Sequence, residues 1–205
     1  FMLLAGAAAS HAELYFPHVT TIQGWQTEIC IINPGATQIV GNLISYNKNG
    51  TQVNSQQVNV QANRRVQYNV ATLANAATTD YIVYKNTGGW PVGYTKFTPS
   101  SGDRVAIPSP DNPSSGNIYV THIAWNPWWT GIALVNTTTQ TKNLTLRFNN
   151  GATRPINLGP RQKQVFQVAE LFGWVAQPAI VSAVIENASG VVGLELFGSG
   201  NQLGG

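Results

Sequence analysis

The chain has 205 residues, which suits one large domain or two small ones. Only 9% of the residues are charged and 43% are apolar, with twenty Gly and eleven Pro among abundant Asn, Gln, Thr and Ser, a mix that favours strands and turns over helices. A formal net charge of +3 is too weak an electrostatic footprint for nucleic acid, and a single cysteine, Cys30, excludes an internal disulfide.

In chain order, the first feature is the apolar run from Met2 to Ala9, closed by Ser10-His11-Ala12 before polar sequence begins at Glu13. It has the form of the back half of a secretory signal peptide with an A-x-A-like cleavage site. Residues 1–12 are therefore expected to be a signal-peptide remnant of an exported protein, extracellular, cell-surface or periplasmic. The run is too short to span a bilayer, and no later stretch is long and apolar enough for a membrane helix.

From Glu13 onward the chain writes one pattern twice. Leu14-Tyr15-Phe16-Pro17-His18-Val19 is answered by Ile118-Tyr119-Val120-Thr121-His122-Ile123. Trp25-Gln26-Thr27-Glu28-Ile29-Cys30-Ile31-Ile32-Asn33 is answered by Trp128-Trp129-Thr130-Gly131-Ile132-Ala133-Leu134-Val135-Asn136. Trp, Thr, Ile, an aliphatic residue and Asn fall at every second position, the period of a strand. The intervening positions are mostly apolar as well, which predicts a central strand covered on both faces. Asn49-Gly50 and Asn150-Gly151 follow as hairpin signals of type I′. The segment from Arg65 to Leu73 then matches that from Lys163 to Leu171, and Val92–Phe97 matches Val192–Phe197.

The unit is about 100 residues long with seven or eight short strands, the dimensions of an immunoglobulin-like sandwich. The predicted fold is all-β: two tandem immunoglobulin-like β-sandwich domains related by internal repeat, over 13–108 and 117–205, with a Pro/Ser/Gly linker at 109–116. Leu171–Trp174 and the counterpart Val70–Ala76 are expected to form one helical turn each. Alternation points Tyr15, Trp25, Ile29, Ile31, Tyr68, Val83 and Phe97 into the first core. Tyr119, Trp128, Ile132, Leu134, Phe166, Val184 and Phe197 are expected in the second.

These residues carry a resemblance. Tyr-x-x-His-Ile-Ala followed by Trp128–Asn136, with Ala183-Val184-Ile185-Glu186-Asn187-Ala188-Ser189-Gly190 and Gly193-Leu194-Glu195-Leu196-Phe197-Gly198, resembles a repeat of uncharacterised exported bacterial proteins. It covers nearly all of residues 13–205. The resemblance implies an immunoglobulin-like sandwich, export and membership of a longer multi-repeat chain, and it implies no catalytic residues. The first copy departs from the pattern by carrying Gln26 and Glu28 where the second has Trp129 and Gly131.

No constellation for chemistry stands out. His18 and His122 occupy corresponding places, yet neither has the neighbouring ligands that zinc requires; ring nitrogens bonded to backbone near a strand end are expected instead. Cys30, with Ala133 as counterpart, is expected to be a small buried hydrophobe. No acidic residue recurs in both copies as a glycosidase pair would need, and no nucleophile elbow or phosphate loop appears. Arg64-Arg65 and Arg161/Lys163 are expected to be solvated turn residues. Asn49, Asn136, Asn143 and Asn187 begin N-x-S/T sequons.

The best candidate for a working surface is the aromatic cluster around Trp125, Asn126 and Trp129, because exposed rings beside amides suit a sugar platform or a protein contact. Packing of Trp125 and Trp129 in the core or at the domain junction is the competing expectation, with Trp90 and Trp174, near turns, expected to do similar covering work. The expected function is that of an exported, non-catalytic structural or adhesive module with a protein or glycan partner, needing no cofactor and no metal. The alternative is a carbohydrate-binding module pair using exposed Trp residues.

Overall fold

Short apolar alternations broken by Gly, Pro and Asn build sixteen strands among the residues that the computed structural model describes, 13–22, 24–99, 104–199 and 202–204. The expected signal-peptide remnant lies outside them. In chain order the strands are β1 (Glu13–Phe16), β2 (Trp25–Asn33), β3 (Ile39–Tyr46), β4 (Gln52–Val60), β5 (Arg64–Asn69), β6 (Tyr81–Asn86), β7 (Val92–Pro99) and β8 (Val105–Pro108). Then follow β9 (Ile118–Val120), β10 (Trp129–Asn136), β11 (Lys142–Phe148), β12 (Thr153–Leu158), β13 (Lys163–Gln167), β14 (Ala183–Glu186), β15 (Val191–Ser199) and β16 (Gln202–Gly204). Single 3-10 turns at Val70–Thr72, Ala76–Thr78 and Val168–Phe172 complete the regular structure. No helix among the described residues is long and apolar enough to cross a membrane.

The strands form four antiparallel sheets, β1-β6-β3-β4 and β5-β2-β7-β8 from the first half, β9-β14-β11-β12 and β13-β10-β15-β16 from the second. Adding eight to each strand number of the first half reproduces the order of the second. Within each half the two sheets share one apolar cluster. Leu14, Ile29, Leu43, Val60 and Tyr84 meet in the first, and Ile132, Leu134, Leu146, Phe148 and Ile185 in the second. A core common to two sheets makes each half a β-sandwich.

Several alternation readings require correction. Tyr15 and Val83, paired across β1 and β6, lie on the outer face of their sheet and join a separate cluster with Val135 and Val192 of the second half. Their counterparts Tyr119 and Val184 pair in the same way, but Tyr119 is 68% exposed. Alternation separates two faces of a strand; it does not say which face meets the larger core. The hairpin positions hold, but their turn type differs. Gly50 has φ 82° and Gly151 φ 87°, while the preceding Asn49 and Asn150 have no positive φ. The amides of Gly50 and Gly151 donate to Asn47 O and Phe148 O, so each Gly closes a β-turn at its last position, where only glycine takes positive φ at no steric cost.

The Asn that ends each Trp strand is a structural lock. Asn136 is fully buried, and its Nδ2 donates to Gln140 O, Leu158 O and Gly159 O while its Oδ1 accepts from the Thr138 amide. Asn33 repeats the arrangement, donating to Thr37 O, Val60 O and Gln61 O and accepting from the Gly35 amide. One side chain thus ties the end of β10 to the β10–β11 loop and to the end of β12. Burial also removes Asn136 from glycosylation. Asn136→Ala leaves buried carbonyls without donors and is expected to cost roughly 2–3 kcal/mol. Asn136→Asp should cost at least as much, because its carboxylate faces three carbonyl oxygens. Exposed Asn143→Ala should stay within ~0.5 kcal/mol in the same urea titrations; a tolerated Asp would refute the lock.

Candidate functional site at the junction of the two halves

The central strand β10 explains the junction. Ile132 and Leu134 enter the core of their own half, so Ala133 and Val135, one residue on, point to the opposite face. That face is apolar and meets the first half in two clusters. Val135 and Val192 pack on Tyr15, Tyr46, Tyr81 and Val83, with the Tyr46 and Tyr81 rings stacked 4.9 Å apart. Ala133, Leu194, Leu196 and Trp129 pack with Phe97, Trp25, Val105 and Ile107. The corresponding face of β2 instead carries Gln26 and Glu28, the latter paired with Lys96 and accepting from Gln67 Nε2 at 2.5 Å. Lys96 foremost holds the Glu28 carboxyl below its ordinary value. The departure of the first copy from the second at these positions therefore has a physical cause: one face is covered by the other half, whereas on its counterpart Gln26 is exposed and Glu28 partly so.

Backbone bonds reinforce the contact. Pro110 O accepts from the Tyr15 amide at 2.9 Å, while Ser114 donates its amide to Val191 O at 2.9 Å and accepts from the Gly190 amide at 2.8 Å. The Pro/Ser/Gly connection is thus bonded to both halves. The Lys163 amide donates to Lys48 O at 2.8 Å, and the Tyr81 hydroxyl donates to Arg161 O at 2.8 Å.

At the centre lies a buried cation. Lys163, expected among solvated residues, is only 6% exposed, because its position beside Val135 in the β10–β13 register turns it into the junction. Its Nζ sits 2.8 Å from His18 Nδ1 and 2.5 Å from Asp80 O. His18 bonds to this side chain rather than to backbone, and its ring lies 5.7 Å from that of Phe97. Burial foremost, and then the Lys163 charge, pulls the His18 imidazole down to about 3. Burial lowers Lys163 to about 8, against the opposing pull of Asp80. The ammonium is a donor only, so Nδ1 of the neutral imidazole accepts and Nε2 carries the proton.

Beside this pair a cleft of about 290 Å³ opens between the halves, walled by Trp25 and Phe97 from the first and Trp129, Phe166, Leu194 and Leu196 from the second. His18, Gln167 and Glu170 supply its polar groups. Mostly apolar walls with a few polar groups where two sandwiches meet make this cleft the candidate ligand site.

The three residues singled out as a ligand surface separate. Trp125 is half-buried against the second core; its indole N–H donates to Ile180 O at 2.7 Å and its ring meets Phe172 edge-on at 5.7 Å. Asn126 is exposed. Trp129 is half-buried in the junction cluster and lines the cleft. Trp90 and Trp174 are mostly open to solvent, 60% and 65% exposed. His122 is exposed and stands edge-on to Phe197 at 4.8 Å. The residues that sequence reasoning missed are Lys163 and the two locking Asn side chains. The recurring Asn was visible in both copies, whereas nothing local distinguishes Lys163 from its exposed counterpart Arg65.

Comparison with protein-family models, with curated proteins and with solved structures finds no match.

Proposed function

We propose that this chain is a non-catalytic structural and adhesive module of an exported bacterial protein, formed by two immunoglobulin-like sandwiches that arose by duplication. The resemblance of its Trp-strand and Ala183–Gly198 motifs to the repeat of exported bacterial proteins supports the class, and the apolar run before Glu13 supports export. The matching strand orders support duplication.

The observation that carries the adhesive role is the loop after the last 3-10 turn. It displays Trp174, Val175 and Val181 with 65%, 61% and 53% of their surfaces open. Exposed large side chains on an ordered loop are contact groups for a partner. The loop is braced from beneath: Asn149 donates to Ala179 O at 2.9 Å and accepts from the Val181 amide at 2.9 Å, while Ile180 is buried and held by the Trp125 indole. Trp125 thus serves contact indirectly, by fixing the loop that makes it.

The test is retention of the fluorescently labelled chain on glycan and extracellular-protein arrays. Saturable retention is expected, and the double change Trp174→Ser, Val175→Ser should abolish it while shifting stability by less than ~0.5 kcal/mol. Retention on no surface, retention unaffected by the double change, or turnover of an arrayed substrate would each overturn the reading.

A further inference from the structure

Independently of that adhesive surface, we propose that the junction cleft is a binding site for a small uncharged aromatic molecule carrying one hydrogen-bond acceptor oxygen, which docks its ring between Trp25 and Trp129 and its oxygen on His18 Nε2–H.

Three observations converge on that chemistry. The volume, about 290 Å³, stands at the small end of ligand sites and admits one or two rings. Trp25, Phe97, Trp129 and Phe166 all contribute to the walls, and aromatic rings favour offset or edge-on ring partners over aliphatic chains. The third observation is the state of His18. Lys163 occupies Nδ1, which places the proton on Nε2, and among the described residues no side-chain or backbone group accepts from it. A free donor on a residue that lines a mostly apolar cleft selects an acceptor, since a ligand lacking one leaves it unpaired. A carbonyl, ether or phenol oxygen meets the need. The Lys163 ammonium beside His18 and the Glu170 carboxylate on the wall set a like charge against a cation and an anion respectively, and a sugar would bring more hydroxyls than the few polar groups of the cleft can satisfy.

Gly131 provides a plug. It lines the cleft, and a Cβ built on it meets the Trp129 ring at 3.5 Å and Leu196 O at 3.7 Å, which is ordinary contact. A leucine at this position can extend into the cleft without a backbone clash.

The experiment titrates the whole chain with acetophenone and with α-methylstyrene, the same shape lacking the acceptor oxygen, followed by NMR shifts of backbone amides, Trp indoles and the His18 ring. The ketone should bind saturably, roughly three- to tenfold tighter than the alkene. Its shifts should centre on His18, Trp25, Gly131 and Leu194. Gly131→Leu should weaken both ligands by about tenfold or more. The proposal is overturned by no saturable shift, by equal affinity for the two probes, by shifts centred elsewhere, or by a folded Gly131→Leu protein that binds normally. Should that variant not fold, the shift map and the ketone-to-alkene ratio of the unaltered chain decide the question.

Discussion

Ala133→Glu is expected to split the unfolding of this chain into two transitions and to cost about 4 kcal/mol. Ala133 is 2% exposed, at the centre of the face that β10 turns to the first half, among Phe97, Leu194 and Leu196. A glutamate there forces a charge and a larger side chain into a closed apolar contact, and its burial forfeits more hydration than Lys163, already engaged with His18 and Asp80, can restore. The cheapest escape is separation of the halves, which frees the glutamate and leaves each core in place. Calorimetry should therefore show one cooperative transition for the unaltered chain and two for the variant. The control is Gln26→Glu on the exposed counterpart face of β2, which should change stability by less than ~0.5 kcal/mol. A single, merely lowered transition for Ala133→Glu would show that the halves fold as one unit and that the junction does not govern their coupling.

The second large effect is acid loosening of the same junction. His18 falls from an ordinary 6.5 to about 3 in the folded chain. Between those values the unfolded chain binds a proton that the folded chain refuses, so stability falls as pH drops. The contribution is fully present above about pH 6.5 and is lost by about pH 3. At ~1.4 kcal/mol per unit this is on the order of 3–5 kcal/mol. Lys163 acts in the same sense in another window: lowered from 10.5 to about 8, it makes stability rise as pH climbs from 8 to 10.5. Carboxylates also titrate in acid, Glu28 and Glu186 with lowered values and Glu195 with one raised by desolvation. The decisive quantity is therefore the difference from His18→Phe. That variant should show a shallower loss of stability between pH 6.5 and 3 in urea titrations and an unchanged slope between pH 6.5 and 8, below the Lys163 window. Parallel pH curves for the two proteins would remove His18 from the account.

Both predictions rest on features of unequal visibility in the sequence. The Trp strands were legible because apolar residues on both faces demand cover on both sides, and the period of two separates those faces. Hairpin positions were legible at Asn49-Gly50 and Asn150-Gly151, although the turn type was not, because the conformation of Asn depends on how many residues the closing strands leave free. The candidate site was legible only in part. Trp129 was expected on a ligand surface or, in competition, in the core or at the junction, and it lies in the junction cluster and lines the cleft. Trp125 was grouped with it by proximity along the chain, yet its ring packs on another cluster and holds Ile180.

What the residues by themselves determined is local and periodic: strands, turns, a pattern written twice, and an all-β sandwich built from them. Tertiary structure alone decided which faces of those strands are covered. Tyr15 and Tyr119 stand at matching places, one buried and the other open, because only the first meets the opposite half. Arg65 and Lys163 likewise share a position but differ in solvation, and the cleft exists only where two such surfaces meet. Burial of this kind depends on long-range docking of one sheet against another, an interaction that no single strand's sequence encodes.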